Sequence, residues 1–273
     1  GVSDPIRYLQ SLAGISTNNE TCAGIYIQGC DDYQTLTNIN GAPVYYPNHL
    51  LGLYSTFIAP HFSTMTVEQS EHRGTMENRI GGLVSVETQH HQPQRFSITG
   101  NIGLVSSDAT LTIPCGKKSA LWLSGRASYI NLLYGKWLQI EGIGVGYDFW
   151  DTNLTYSYHP TENDEIVLTG FFCCDNINMA DSAHFGVGIQ WYNALGSAHW
   201  NHRLKGGNWR TSVSYSGFRN QIAVNALAID VFTDAEWASI DVKNRLNKRL
   251  RDDLILNASA DYTHYFYLPL QFS

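Results

Sequence analysis

The segment "NWRTSVSYSGF", residues 208–218, decides how this chain is read. After Asn208 every second residue is bulky or apolar: Trp209, Thr211, Val213 and Tyr215, with Arg210, Ser212, Ser214 and Ser216 between them. Successive side chains of an extended chain point to opposite faces, so this pattern spells a β-strand with one polar and one apolar side. The polar side can stay wet. The other must be covered, either by a packed core or by lipid.

The same pattern recurs along the chain. From Arg95 onward nine segments read as strands: 96–105, 108–114, 120–129, 147–159, 165–174, 192–204, 209–218, 236–246 and 254–266. In the last, Leu254, Leu256, Ala258, Ala260 and Tyr262 oppose Asn257, Ser259, Asp261 and Thr263. In the fourth, Trp150, Thr152, Leu154, Tyr156 and Tyr158 oppose Asp151, Asn153, Thr155, Ser157 and His159. Several segments reach 10–13 residues, whereas strands of soluble proteins usually have about five or six and about 9–11 tilted residues cross a bilayer. Aromatic residues gather toward the strand ends. The connections also alternate in length. Residues 115–119, 160–164, 205–208 and 247–253 read as short polar turns, while 130–146, 175–191 and 219–235 read as loops of about 17 residues; only 106–107 breaks the rule. Short turns on one side and long loops on the other characterise outer-membrane barrels, and a sandwich has no reason to keep that parity. The expected fold is therefore an antiparallel membrane β-barrel, here partial, with the Trp209–Tyr215 side against lipid. Bacterial barrels have even strand numbers, so nine strands imply more beyond the C-terminus.

Composition agrees. Only 15% of residues are charged, against about 25% in a typical soluble domain. Aromatics reach 12%, with 16 Tyr and 7 Trp. A net charge of −7 argues against a nucleic-acid partner. No apolar run is long enough for a transmembrane helix, and the opening "GVSDPIRYLQ" is not a signal peptide. Five cysteines without a CxxC pair suggest no metal site, and Cys22 and Cys30 stand too far apart for a disulfide if the intervening stretch is extended. His90-His91 reads as a solvated linker. No metalloprotease, nucleophile-elbow or phosphate-loop motif occurs, so no catalytic residue, cofactor or metal is expected, and the protein is not read as an enzyme.

Residues 1–92 read as a separate small α+β unit, and 93–273 as the strands. "SDPIRYLQSLAG" suggests a helix capped by Ser3 and stopped by Gly14, with Ile6, Leu9 and Leu12 on one stripe. Strands are expected at 24–29, 35–46, 64–72 and 81–89, and a short helix at 49–60.

The run "DPIRYLQSLAGIS … GIYIQGCDDYQTLTNINGAPVYYPNHLLGLYSTF … IGGLVSVETQ" resembles the plug domain of TonB-dependent outer-membrane transporters. The residues that carry the resemblance are Leu12-Ala13-Gly14-Ile15, Ile27-Gln28-Gly29, Asn40-Gly41-Ala42-Pro43-Val44 and Gly81-Gly82-Leu83-Val84-Ser85-Val86. Ser124-Gly125-Arg126 and Ala260-Asp261-Tyr262-Thr263 resemble the early barrel of the same family. Departures are Ala13, where a proline is frequent, and "ENRIGG" before the last plug strand. The segment that TonB grips, and more than half of the usual barrel, are also missing from this chain.

The resemblance implies a plug filling a barrel lumen, with Arg210, Ser212, Asn153 and Asp261 facing inward. It implies location in the outer membrane of a Gram-negative bacterium and import of an extracellular nutrient: a siderophore, vitamin, glycan or peptide. Partners would be TonB, outer-membrane lipid and a surface lipoprotein. Ligand would meet the upper plug loops: Asn18, Asn19 and Glu20 after the first helix, Asp31, Asp32 and Tyr33 after the first strand, and Tyr46, Asn48 and His49 in the "VYYPNH" turn. Taken singly, each also reads as an ordinary polar loop residue. Two further classes stay open: a passive receptor or adhesin on the same scaffold, and a soluble β-rich binding protein or enzyme.

Overall fold

The computed structural model describes residues 4–16, 25–31, 34–69, 80–181, 185–226 and 229–272. The N-terminal part contains helix α1 (Pro5–Leu9) and eight strands: β1 (Ile15–Ser16), β2 (Tyr26–Ile27), β3 (Thr35–Ile39), β4 (Ala42–Val44), β5 (Asn48–His49), β6 (Tyr54–Ser55), β7 (Phe62–Glu68) and β8 (Gly82–Thr88). Single 3-10 turns lie at Leu50–Gly52 and Ala59–His61. Then follow β9 (Ser97–Ile102), β10 (Ser106–Pro114), β11 (Ser119–Ser128), helix α2 (Ile130–Tyr134) and β12 (Gln139–Ile140). The long strands are β13 (Ile143–Tyr158), β14 (Asp164–Ala180), β15 (Phe185–Leu204), β16 (Gly207–Ala226), β17 (Ile229–Arg251) and β18 (Leu254–Phe272).

Strands β9–β18 form one antiparallel sheet in sequence order, with β12 as a short offshoot on β13. Its end strands β9 and β18 are not paired to each other, so the sheet is open. All nine segments expected from the alternation contain strands, but the first is only Ser97–Ile102 and its turn falls at 103–105 and not at 106–107. The three expected 17-residue loops are not loops as drawn. Residues 175–180, 185–191, 219–226 and 229–235 continue the β14–β17 ladders, because Ile177, Met179, Val187 and Ile189 keep the alternation going past the first polar residues. Only 130–142 departs from the ladder, through α2 and β12.

Cross-strand register organises one face into rows. Tyr158, Ile166, Trp200 and Thr211 form one row; Tyr156, Leu168, Ala198 and Val213 the next; Leu154, Gly170, Gly196 and Tyr215 the third. Thr152, Phe172, Ala194 and Gly217 follow, then Trp150, Cys174, Tyr192 and Arg219. One step further the row is wholly polar: Asp148, Asn176, Gln190, Gln221 and Asp234. At the opposite limit Asp164 and His202 precede the first row. The result is an exposed apolar band nine residues tall on β13, from Trp150 to Tyr158. Trp200, Trp209 and Tyr158 lie toward its short-turn limit, and Trp150 and Tyr192 lie at the other. The opposite, inner face of the same strands is buried and mixed: Asp151, Asn153, Thr155, Ser214 and Ser216 lie among Val167, Phe171 and Leu195, each under a tenth exposed.

The N-terminal unit covers that inner face. Its sheet has the order β4-β3-β8-β7, with β3 and β8 parallel and the other pairs antiparallel. Asn40 (φ 52°) and Gly41 (φ 86°) close the β3–β4 hairpin, a two-residue turn in which both positions are left-handed and which Asn-Gly favours. Ile6, Ile15, Ile27, Ile39, Val84 and Val86 form a core that Phe171, Cys173 and Leu195 of the long strands complete.

Local expectations fared less well here. The helix cap is Asp4, whose Oδ1 accepts from Ile6 N at 2.9 Å, and α1 ends at Leu9. Ser3 lies outside the described residues. Asp4 prevails because its Oδ2 also accepts from Ser55 N at 2.6 Å, fastening the helix start to β6. The short helix expected over 49–60 is two strands and two single turns. Its apolar residues imitate a helical stripe, but they are buried on different sides. Strand 24–29 shrinks to Tyr26–Ile27, and 35–46 is a hairpin. Cys30, Cys115, Cys173 and Cys174 are free thiols; Cys22 lies outside the described residues.

Gly82 offers a direct test of this packing. A Cβ there would stand 2.9 Å from the Glu68 carbonyl oxygen and 2.5 Å from Cδ1 of fully buried Ile27. Gly82→Ala should cost about 1–3 kcal/mol by overpacking. Gly29→Ala, at φ 83° with nothing within 4 Å, should cost only about 1 kcal/mol of backbone strain. Thermal unfolding followed by circular dichroism should rank the two in that order.

Candidate functional site

The segment from Ala42 to Ser55 runs along the inner face and makes most of the specific contacts there. Tyr45 donates its hydroxyl to Ser239 Oγ at 2.7 Å, and burial pushes its phenol up to about 12. Asn193 brackets the Tyr46 backbone, donating from Nδ2 to the carbonyl at 2.8 Å and accepting from the amide at 3.4 Å. The Tyr46 ring meets Trp191 edge-on, at 5.8 Å and 89°, and Phe218 at 6.0 Å. Leu50 follows in the left-handed region (φ 51°), its amide held by the Tyr147 hydroxyl at 2.5 Å.

Between them lies His49, with no exposed surface. Its Nε2 is 2.5 Å from Asp151 Oδ1 and its Nδ1 is 2.7 Å from Asp175 Oδ2. An ionised carboxylate can only accept, so between two of them both ring nitrogens carry protons and the ring is an imidazolium. Burial opposes that charge, but the charge and hydrogen bond of Asp151, with those of Asp175, outweigh it and raise the His49 pKa. Arg126 supplies the second cation. Its Nε donates to Asp151 Oδ2 at 2.5 Å and its Nη2 donates to the Ser55 carbonyl at 2.6 Å. Asp175 also accepts from the Tyr147 hydroxyl. Two cations thus meet two anions, each buried charge hydrogen-bonded on more than one side. Phe149 closes the site, stacked on His49 at 4.3 Å and beneath Arg126 at 5.4 Å. With both nitrogens engaged, His49 has no lone pair to act as a base or a metal ligand; it is a clamp between the N-terminal unit and the strands.

Other fastenings surround it. His61 is also fully buried, but its neighbours are hydroxyls: Ser124 Oγ at 2.7 Å and Thr155 Oγ1 at 2.9 Å. Desolvation without a compensating charge lowers its pKa to about 4. Asn40 Nδ2 donates to Thr169 Oγ1 at 2.7 Å, Arg210 to the Asn40 carbonyl at 2.9 Å, and Lys243 to the Gly41 carbonyl at 2.8 Å. A cavity of about 240 Å³ remains beside these contacts, lined by Asn40, Glu68, Glu87, Arg210, Ser212 and Lys243 among others.

The residues expected to meet a ligand are distributed differently. Asn18, Asn19, Glu20, Asp32 and Tyr33 lie outside the described residues. Asp31 is exposed in the turn before β3, its amide donating to Gln34 Oε1 at 2.8 Å. Tyr46 is half-buried against aromatic rings, whereas Asn48 and His49 are buried. Neither of that last pair presents a surface to an incoming molecule, because the turn folds against the strands instead of rising from them. Sequence reasoning missed Asp151, Asp175 and Arg126 as partners of His49. The available signal was parity, which places Asp151 on the polar side of its strand. Among the described residues no group of three or more His, Cys, Asp or Glu is arranged to hold a metal. His90 Nδ1 approaches the Thr88 carbonyl at 3.0 Å, and His91 lies against Trp122.

The two buried histidines predict opposite pH behaviour. His49, with a raised folded pKa, stabilises fully below about 6.5 and loses that contribution as pH rises through its folded value. His61, with a lowered one, stabilises above about 6.5 and loses up to about 3 kcal/mol as pH falls toward about 4. The stability difference between wild type and His61→Asn, which does not titrate, should therefore shrink across that acid interval in denaturant melts. His49→Ala leaves Asp151 and Asp175 without their shared cation. It should loosen the N-terminal unit by about 3–5 kcal/mol, read as faster amide exchange in β5 and β6.

No family model matches the sequence, and no curated protein matches it. Solved structures do. The siderophore receptor PirA from Acinetobacter baumannii superposes with a TM-score of 0.65 at 12% identity, over 97% of this chain and 46% of its own. The ferric yersiniabactin uptake receptor FyuA from Yersinia pestis gives 0.62 at 11%, over 100% and 58%. A mutant ferric enterobactin receptor PfeA from Pseudomonas aeruginosa gives 0.58 at 13%, over 98% and 56%. The chain thus spans about half the length of these receptors. At such low identity the likeness concerns the fold: a mostly antiparallel sheet of the kind found in outer-membrane receptors, and no helix among the described residues long and apolar enough to cross a membrane.

Proposed function

We propose that this chain is the N-terminal portion of an outer-membrane receptor that binds an extracellular nutrient and imports it with energy delivered by TonB. In this reading residues 1–92 are the plug and 93–273 the first barrel strands. The observation that carries it is the pairing of two unlike faces on one sheet. The outer face bears an apolar band nine residues tall with aromatic residues at both limits. That matches the about 9–11 tilted residues and the aromatic girdles of a membrane barrel. The inner face carries the buried polar groups together with Phe171 and Leu195, and is covered by the N-terminal unit through His49, Asn40 and Tyr45. Short turns lie at 115–118, 159–163, 205–206 and 252–253 and would face the periplasm. The β14–β17 extensions beyond the band would stand outside the cell and wall the ligand entrance.

Within this reading the ligand-facing role of the expected set rests, among the described residues, on its exposed and half-buried members Asp31 and Tyr46. Asn48 and His49 serve to seat the plug. The set contains three acids and no Lys or Arg, which disfavours anionic ligands.

The test compares the two faces. Val213 is on the second row of the band and 49% exposed; Ser212 lines the inner cavity. Val213→Arg should cost about 2–4 kcal/mol near the bilayer midplane and reduce the folded yield in membranes, while Ser212→Arg should be tolerated. Equal yields, or a monodisperse wild-type protein without detergent, would contradict the reading.

A further inference from the structure

Four aromatic rings meet where the N-terminal unit touches β17 and β18. Trp237 lies 6.0 Å from Tyr45, 6.1 Å from Tyr265 and 5.7 Å from Tyr267, with interplanar angles of 57°, 73° and 72°. Trp237, on β17 between two paired strands, is 42% exposed; Tyr265 and Tyr267 stand beside it on β18, the end strand of the open sheet. Their register places them on the inner face, because Trp237 pairs with Phe218, which packs on Tyr46. In the receptor reading that face is turned away from lipid, and the cluster is defined by its ring geometry and its hydrogen-bonded support.

The cluster is held in place from below. Tyr45 donates to Ser239 Oγ at 2.7 Å, Ser239 donates to Asp241 Oδ2 at 2.8 Å, and Thr263 donates to Asp241 Oδ1 at 2.7 Å. This chain joins the plug, β17 and β18, and it fixes the ring that tilts against Trp237. Ordered, solvent-facing aromatic groups on a hydrogen-bonded support are how a recognition surface is prepared before its ligand arrives.

The surroundings narrow the ligand. The next inner row beyond Asp175 is Ile177, Ile189, Ile222 and Thr233, and the row after it is equally uncharged. Arg210 and Lys243 are on the short-turn side and are bonded to the Asn40 and Gly41 carbonyls. A multiply charged anion finds no partner in this wall. The angles exclude a slot between parallel rings, which a flat heteroaromatic ligand would want. An indole face flanked by tilted rings and phenol hydroxyls instead suits a molecule with C–H groups on one face and hydroxyls at its rim. We propose that Tyr45, Trp237, Tyr265 and Tyr267 form a stacking platform for a neutral oligosaccharide, one sugar ring lying on Trp237. This rests on the receptor reading and names its substrate class.

The experiment titrates the full chain in detergent with maltotetraose, cellotetraose and N-acetylchitotetraose as neutral probes. A ferric tris-catecholate is the anionic control and choline the cationic one. Calorimetry and tryptophan emission supply the readouts. At least one neutral probe should bind and shift the emission. Trp237→Ala should weaken that binding ten-fold or more, Trp237→Phe should retain most of it, and Tyr45→Phe should weaken it a few-fold by freeing the ring from Ser239. The proposal is overturned if no neutral probe binds wild type, if binding survives Trp237→Ala unchanged, or if the control anion or choline is the molecule that depends on Trp237. Failure of the receptor reading itself would show instead in the arginine pair at 212 and 213, which involves no ligand.

Discussion

A strand has two faces, and a sheet of long strands must satisfy both along its whole length. That constraint governs this protein. Once Trp150, Leu154, Val213 and Tyr215 point one way, the register sends Asp151, Asn153, Ser214 and Ser216 the other way. A slip of one residue would exchange the faces wholesale. The N-terminal unit is then less an added domain than the cover that the inner face requires. It supplies carbonyls, hydroxyls and one imidazolium to groups that would otherwise be buried without partners.

His49 shows how that cover is made specific. Buried ion pairs often contribute little net stability, because desolvation offsets attraction. What this cluster provides is position. Asp151 and Asp175 come from neighbouring strands, Arg126 from the next strand along, and His49 and Ser55 from the N-terminal unit. Only one placement of that unit satisfies all of them. His61, seated on Ser124 and Thr155 without a charge, fixes a second point, and Asn40 on Thr169 a third. Three polar fastenings at separate points define an orientation that the apolar core of Ile27, Val84 and Phe171 could not define alone.

The long strands were legible because alternation is a local signal, repeated over many residues and reinforced by turns. The loops misjudged at 175–191 and 219–235 show its limit. Asn176, Asn178 and Gln190 looked like loop residues, yet they are the solvent-facing half of strands that have risen past the apolar band. The N-terminal unit was legible in outline through its Asn40-Gly41 turn. Its details were hidden because they depend on partners far away in sequence. His49 looked like a ligand-facing loop histidine since Asp151 and Asp175 follow it by 102 and 126 positions. The aromatic platform was invisible for the same reason: Tyr45 and Trp237 become neighbours only through the register of β17 and the seating of β4.

The central claim is that one face of this sheet meets lipid and the other meets the N-terminal unit. The most direct measurement is spin labelling, one site at a time along β16 from residue 209 to residue 221, in reconstituted bilayers. Each label is scored for contact with oxygen, which concentrates in lipid, and with a water-soluble nickel chelate. The account predicts high oxygen contact at positions 211, 213, 215 and 217. It predicts low contact with either reagent at 214 and 216, and a change to nickel contact at 219 and 221. Nickel contact at 213 and 215, or an accessibility pattern without the two-residue period, would contradict it.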